Sequence, residues 1–130
     1  MADDRETLNG ISERIIEGAI EIHSALGPGL LESAYKACMI YELRERGFSV
    51  ASELLVPICY KGLKLEGAYR IDLLVNQEVI IEVKSVEVVL PVHHAQLLSY
   101  LKLMNKRLGL LINFNVPRVV QGVKRIVNHF

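Results

Sequence analysis

The residues with the clearest chemical potential are two acids and a lysine that interrupt two apolar segments. Asp72 stands in the strand-like segment 63–75, and Glu82 and Lys84 stand in the strand-like segment 79–86. Charged side chains are seldom buried unless they are paired or have a function. Because residues two apart on a strand share a face, Glu82 and Lys84 point in the same direction. The pattern therefore predicts two adjacent strands that present charged groups together.

The loop between these strands decides whether Asp72 joins the other two residues. A three-residue loop, 76–78, would place Asp72 opposite Glu82, whereas a slip of one residue would turn it to the other face. Two carboxylates this close repel each other unless a cation or a proton lies between them. Mg²⁺ suits such a pair, and a neighbouring lysine can orient the attacking water or stabilise charge on phosphorus. The predicted chemistry is metal-assisted hydrolysis of a phosphodiester, and the alternative is an ion pair on a solvated sheet face.

The elements that must hold these residues follow from hydrophobic periodicity and turn residues. Apolar residues at helical spacing predict three helices, and runs of strand formers predict five strands. Gly47 is expected to cap the second helix. The helices are predicted at 8–26, 30–46 and 92–107, and the strands at 48–60, 63–75, 79–86, 108–114 and 119–127. This order predicts a mixed α/β fold with a three-stranded antiparallel meander at its centre.

Length and composition limit the classes of protein that the chain can represent. With 130 residues, 51% of them hydrophobic, the chain is expected to form a single domain over 1–130. The longest uncharged run, 88–101, is too short and too polar for a membrane span, and the acidic start 1–6 lacks the features of a secretory signal. Cys38 and Cys59 lack metal-site spacing and are expected to be reduced. We therefore expect a cytoplasmic protein without a membrane partner.

Charge is distributed unevenly, although the formal net charge is zero. Residues 91–130 contain six Lys or Arg and no Asp or Glu, so the negative charge lies in the first ninety residues. Such asymmetry is compatible with a basic surface for a polyanion beside an acidic metal site, and equally with chance clustering on solvated faces. Lys102, Lys106 and Arg107 are predicted to extend the third helix and, if they flank the site, to bind a nucleic-acid backbone.

Three further residues are candidates for the site, each with a structural alternative. If Gly29 is the N-cap of the second helix, Glu32 is its third residue, where a carboxylate can cap the helix. The alternative is that Glu32 faces the site. Gln96 and Tyr100 lie four residues apart and share a face of the third helix. They either line the site or form the edge of an amphipathic helix, with Tyr100 half-buried.

Taken together, these motifs resemble the GxxExxY family, a group of small proteins within the PD-(D/E)XK nuclease superfamily. The name-giving motif is present as Gly29-Leu30-Leu31-Glu32-Ser33-Ala34-Tyr35. Asp72 and Glu82-Val83-Lys84 match the superfamily signature, with Ile71 in place of its proline. The resemblance extends over residues 8–127. It implies a restriction-endonuclease-like core of helix, three-stranded antiparallel meander, helix and strand, with an extra N-terminal helix and a C-terminal strand.

The resemblance also implies a role for each site residue. The expected ligands of Mg²⁺ or Mn²⁺ are Glu32, Asp72, Glu82 and the carbonyl of Val83, and Lys84 is expected to act on the attacking water. Gln96 and Tyr100 look like the additional motif of nucleases related to the RecB nuclease domain. In that motif Gln96 would contact the metal-bound water or a phosphate, and Tyr100 the substrate or the wall of the site.

The expected function is a metal-dependent nuclease acting on DNA or RNA, with DNA favoured. The alternative is a non-catalytic nucleic-acid-binding or regulatory module that retains the nuclease fold, and hydrolysis of another phosphate ester is a third hypothesis. A chain this short leaves open weak sequence preference, a structured or modified substrate, or a partner protein that supplies targeting. A homodimer is also compatible with the sequence. The type of nucleic acid and the mode of cleavage are not encoded visibly, because one fold hosts many functions.

Overall fold

The computed structural model describes residues 4–129 of the chain. The first three residues of the predicted acidic start therefore lie outside the described part. Three helices, seven strands and one short 3₁₀ helix are found in the described part. The helices are α1 (Asp4–Leu26), α2 (Glu32–Glu45) and α3 (Pro91–Leu103), and the 3₁₀ helix is Val119–Gly122. The strands are β1 (Val50–Leu55), β2 (Ile58–Tyr60), β3 (Leu63–Leu65), β4 (Arg70–Val75), β5 (Val79–Lys84), β6 (Leu108–Asn113) and β7 (Val123–Val127).

Five strands form one sheet in the order β1-β4-β5-β6-β7, and β2 and β3 form a separate hairpin. Strands β5 and β6 are parallel, with α3 as the crossover between them, and the other neighbours are antiparallel. The predicted order of a helix, three antiparallel strands, a helix and a strand is confirmed. The extra N-terminal helix and the C-terminal strand are also present.

Two of the predicted strands are divided, which adds the β2–β3 hairpin between β1 and β4. The segment 48–60 breaks at Pro57, which has no N–H to donate to a ladder. The segment 63–75 breaks around Gly67, whose φ of 79° lies in the left-handed region. The meander of the main sheet is therefore β1, β4 and β5, and the small hairpin lies outside it.

The main sheet is covered by helices on both faces. Ile15 of α1 and Met39 of α2 belong to the same buried cluster as Ile81 and Val83 of β5. Leu97 and Leu101 of α3 belong to a second cluster with Ile80 and Leu111. Successive residues of a strand point to opposite faces, so Glu82 and Lys84 lie on the same face as Ile80, toward α3.

Several helix and strand boundaries differ from the sequence prediction. Helix α1 begins at Asp4 and not at residue 8, and β5 ends at Lys84 and not at residue 86. Helix α2 begins at Glu32, because Leu31 is extended (φ −71°, ψ 152°). Helix α3 ends at Leu103, since the left-handed Asn105 (φ 54°) reverses the chain. The segment 119–127 begins with the 3₁₀ helix, so the last strand starts only at Val123. Within residues 4–129, no helix combines the length and apolar character needed to cross a membrane.

Candidate active site

The β4–β5 hairpin sets the relative position of the two carboxylates. Val75 pairs with Val79 across a loop of three residues, Asn76, Gln77 and Glu78, and Leu73 pairs with Ile81. Asn76 and Gln77 are both left-handed, with φ values of 51° and 58°, and the N–H of Glu78 donates to the carbonyl of Val75. One step further along this register, Asp72 lies opposite Glu82. The loop length expected from the sequence is confirmed, and with it the shared face of the two acids.

Asp72 and Glu82 contact each other's strands directly. The N–H of Val83 donates to Oδ2 of Asp72 at 2.8 Å, and the N–H of Asp72 lies 3.4 Å from Oε1 of Glu82. Glu82 is only 7% exposed. Its burial raises the pKa of Glu82 to about 9, and the neighbouring Asp72 carboxylate contributes further to the increase. Without a bound cation, Glu82 therefore keeps its proton at neutral pH.

Lys84 follows at the carboxyl end of β5, where the parallel strand β6 also ends. The carbonyl of Lys84 accepts a hydrogen bond from the N–H of Phe114 at 2.9 Å. The Lys84 ammonium lowers the pKa of Glu82, but burial and the Asp72 carboxylate raise it by more. The loop after Lys84 is held by Asn113, whose side chain donates to the carbonyl of Val86 at 2.9 Å and accepts from its N–H at 3.1 Å. Asn113 is a positioning residue that the sequence analysis missed.

Helix α3 brings Tyr100 to the same face of the sheet. Tyr100 is 5% exposed, and its burial, with the negative charges of Glu82 and Asp72, raises the pKa of its hydroxyl. Gln96 and Tyr100 line a pocket of about 210 Å³ with Tyr69, which lies just before β4. The rings of Tyr69 and Tyr100 are 6.3 Å apart and tilted by 56°. The expected shared face of Gln96 and Tyr100 is therefore found, and Tyr69 is an addition from the structure.

Glu32 reaches the end of β5 from the first position of α2. Its Oε1 lies 3.4 Å from the N–H of Ser85, and the Ser85 hydroxyl donates to the carbonyl of Leu30 at 2.5 Å. Gly29 is not the N-cap, so the alternative in which Glu32 caps its own helix from the third position is wrong. The carboxylate instead lies one residue beyond Lys84 along the chain. The structure places Glu32 at this strand end, and its role in the site stays a prediction.

Tyr35 fixes the segment that leads into α2. Its ring stacks on Phe114, with centroids 4.4 Å apart and an interplanar angle of 7°. Its hydroxyl donates to the carbonyl of Gly27 at 2.5 Å and accepts from the N–H of Leu30 at 3.2 Å. Gly29, between these two contacts, has a φ of 100°, which strongly favours glycine. The glycine and the tyrosine therefore shape the turn that delivers Glu32 to the sheet.

A comparison with protein families matches residues 9–126 to the PD-(D/E)XK nuclease superfamily. The chain belongs to this superfamily. Searches of the curated proteins and of the solved structures found no match. The restriction-endonuclease-like arrangement of the mixed sheet and its flanking helices agrees with this assignment, and the assignment points to nuclease or hydrolase activity.

PD-(D/E)XK nucleases generally use divalent metals, and the donor set of this chain offers a partial fit. Asp72 and Glu82 present oxygen atoms only, which are the ligands that Mg²⁺ prefers, and Mg²⁺ is often held by one or two carboxylates with water and phosphate. Within the described residues, no group of three or more His, Cys, Asp or Glu side chains is arranged to hold a metal. The structure therefore brings together two carboxylates, and ligation by Glu32 or by the Val83 carbonyl stays a prediction.

Two of the three basic residues predicted to bind substrate, Lys106 and Arg107, lie near the opposite end of β5 from Lys84. Lys106 and Arg107 follow the end of α3 and do not extend it, which corrects the predicted helix. They precede Leu108, which pairs with Val79 at the opposite end of β5 from Lys84, about 16 Å away. Lys102 is exposed in the last turn of α3. Binding of substrate by these three residues stays a prediction.

Two charged residues that the sequence analysis did not select do reach this site. The Lys36 ammonium hydrogen-bonds the Glu53 carboxylate, and its Nζ lies 3.6 Å from Oδ1 of Asp72. The hydrogen bond to Glu53 and the charge of Asp72 raise the pKa of Lys36, against the opposing effect of burial. Lys36 follows Glu32 by four residues and so shares its helix face, which was a usable signal. Glu53 gave a weaker signal as a charged residue inside a strand pattern.

Proposed function

We propose that this protein is a metal-dependent nuclease that hydrolyses phosphodiester bonds, with DNA as the favoured substrate. The main support is the direct opposition of Asp72 and Glu82 on neighbouring strands, with Lys84 on the same face two residues later. A solvated ion pair, the alternative interpretation of these residues, would not require a carboxylate as buried as Glu82. Membership in the PD-(D/E)XK superfamily points to the same class of reaction.

In the proposed mechanism, Asp72 and Glu82 would hold Mg²⁺ or Mn²⁺ through their carboxylate oxygens, and the Val83 carbonyl and Glu32 would complete the ligand set. When bound, such a metal ion neutralises phosphate charge and makes a water molecule more acidic. The Glu82 side chain must release its proton before it can ligate a cation, because burial raises its pKa to about 9. The Asp72 oxygen that accepts from Val83 is held in place by the strand itself.

Lys84 and two residues of α3, Gln96 and Tyr100, have the remaining roles in this mechanism. Lys84 orients the attacking water or stabilises negative charge that develops on the phosphate. Gln96 contacts the water or a phosphate oxygen, and Tyr100 forms the wall of the site beside the pocket that it shares with Tyr69. The exposed ring of Tyr69 beside this pocket could stack on an unpaired base, because the stacking of a base on an aromatic ring does not depend on which base it is. Lys102, Lys106 and Arg107 are left out of this mechanism. Lys106 and Arg107 lie near the opposite end of β5 from Lys84, and Lys102 is an exposed residue in the last turn of α3.

We also propose a cytoplasmic setting, in which Cys38 and Cys59 stay reduced. Both are free thiols in the structure.

The decisive test is a cleavage assay with labelled single- and double-stranded DNA and RNA. Wild type, Lys84→Ala and the matched control Lys64→Ala, which alters an exposed lysine of the β2–β3 hairpin, are each incubated with Mg²⁺, with Mn²⁺ or with EDTA. We expect metal-dependent cleavage by wild type and by Lys64→Ala, and a loss of at least about a hundredfold in Lys84→Ala.

Two results would contradict the proposal. Equal cleavage by all three proteins, insensitive to EDTA, would indicate a contaminating nuclease. Nucleic-acid binding without cleavage under any metal condition would favour the non-catalytic module that retains the nuclease fold.

A further inference from the structure

Lys36 is a second lysine at the proposed metal site, and it approaches from the opposite layer of the fold. It lies on α2, four residues after Glu32, and its Nζ is 3.6 Å from Oδ1 of Asp72. The other oxygen of Asp72, Oδ2, already accepts the N–H of Val83. The carboxylate oxygen that is left for a cation therefore faces the Lys36 ammonium.

Glu53 holds the same ammonium from the other side. Ser52 pairs with Leu73 and Leu54 with Ile71, so Glu53 lies opposite Asp72 on the outer strand β1. Its φ of 54° is left-handed, a conformation that is costly for a residue other than glycine, asparagine or aspartate. The side chain of Glu53 is 43% exposed and bonds to Lys36. A strained backbone here is explained if it delivers the carboxylate to this lysine.

We propose that Lys36 is a resident counter-ion of Asp72 that competes with the divalent metal, and that Glu53 draws the ammonium aside when the metal binds. This inference rests on the proposed metal site. Without a metal, the ammonium compensates the charge of the Asp72 carboxylate, whose Oδ1 it faces at 3.6 Å. With a metal, the same ammonium repels a doubly charged ion from a few ångströms away, and Glu53 provides the place to which it moves.

The two partners should therefore act on metal affinity in opposite directions. Removal of the Lys36 charge removes a repulsion that, across about 6 Å in water-like surroundings, corresponds to about a tenfold change in binding constant. Of the two carboxylates that contact Lys36, Glu53 and Asp72, neutralisation of Glu53 leaves only that of Asp72. The ammonium then stays beside Asp72, so metal binding should weaken by about threefold or more. A purely structural role for the Lys36–Glu53 pair would instead make both substitutions weaken binding.

The test is direct titration with Mn²⁺ alone, with the free ion measured by electron paramagnetic resonance at constant pH and low salt. The proteins are wild type, Lys36→Met, Glu53→Gln and two matched controls, Lys64→Met and Glu66→Gln, which alter exposed residues on and just after the β2–β3 hairpin. Far-ultraviolet circular dichroism verifies that each protein is folded, and Lys36→Gln is a second neutral variant. We expect Lys36→Met and Lys36→Gln to bind about tenfold more tightly than wild type, Glu53→Gln more weakly, and both controls like wild type.

The outcomes separate this inference from the function on which it rests. If wild type binds Mn²⁺ and the Lys36 and Glu53 variants all bind it equally well, or all bind it more weakly, the role of Lys36 is overturned and the metal site stands. Absence of Mn²⁺ binding in wild type and in both Lys36 variants alike would overturn the proposed metal site and this inference together.

Discussion

Substitution of Glu82 by glutamine should make the metal-free protein more stable at neutral and alkaline pH. Burial and the Asp72 carboxylate raise the pKa of Glu82 from 4.5 to about 9 in the folded protein. Between these two values the folded chain keeps a proton that the unfolded chain releases, so stability falls as pH rises through this window. Glutamine has nearly the same shape and no charge to lose. Its Oε1 can still accept the Asp72 N–H, and its amide can donate to the Asp72 carboxylate.

The size of the effect follows from the pKa difference. Each pH unit within the window removes about 1.4 kcal/mol from the free energy of unfolding, so wild type should lose about 3 kcal/mol between pH 5.5 and pH 8 through this group. For a chain of 130 residues this corresponds to a decrease in Tm of about 10 °C. The difference in Tm between Glu82→Gln and wild type should therefore grow by that amount over the same pH range.

The assay is thermal unfolding in EDTA, followed by circular dichroism at several pH values. Glu66→Gln, which changes an exposed carboxylate, controls for the loss of one negative charge. Mg²⁺ at pH 8 should raise the Tm of wild type, because a ligand stabilises the state that binds it. It should change the Tm of Glu82→Gln only slightly, because the variant lacks one of the two carboxylates. Parallel pH profiles for wild type and Glu82→Gln would refute the argument that burial keeps Glu82 protonated.

Two further substitutions test how the site is supported. Tyr35→Phe keeps the ring stack but removes the hydroxyl that bonds the Gly27 carbonyl, and should lower the free energy of unfolding in urea by about 1–2 kcal/mol; an unchanged urea midpoint would contradict the role of that hydroxyl. Gly122→Ala would place its Cβ 2.1 Å from the Asn113 carbonyl oxygen and should cost about 3 kcal/mol or more in the same assay. Its control, Gly10→Ala, meets nothing within 4 Å in α1 and should stabilise the chain by about 0.5–1 kcal/mol, so equal effects of the two alanines would oppose the packing argument.

The central hairpin could be predicted from sequence because its geometry is local. The three-residue loop and the period of two in strands are enough to place Asp72 opposite Glu82, whatever surrounds them. The same local reasoning placed Gln96 and Tyr100 on one helix face. Apolar residues at helical spacing also gave the greater part of all three helices.

The rest of the site depends on contacts that are distant in the chain. The Glu32 carboxylate contacts the N–H of Ser85, which is 53 residues away in the sequence. This contact with the end of β5 becomes visible only when α2 is packed against the sheet. Lys36 is an ordinary helix lysine until β1 and β4 place two carboxylates beside it. The chain leaves α3 through a left-handed asparagine, Asn105, and not through a glycine, which is the commonest residue at such a position. The helix was therefore predicted to be too long.

The backbone of Glu53 has a consequence for solubility as well as for the site. Strand β1 is an edge of the main sheet, and an exposed, regular edge can pair with the edge of another molecule. A left-handed residue with a charged side chain interrupts that edge midway along the strand. An interruption of this kind makes the edge a poorer template for the edge of another molecule. A β-branched residue at position 53 would regularise β1 and expose it as a template for association.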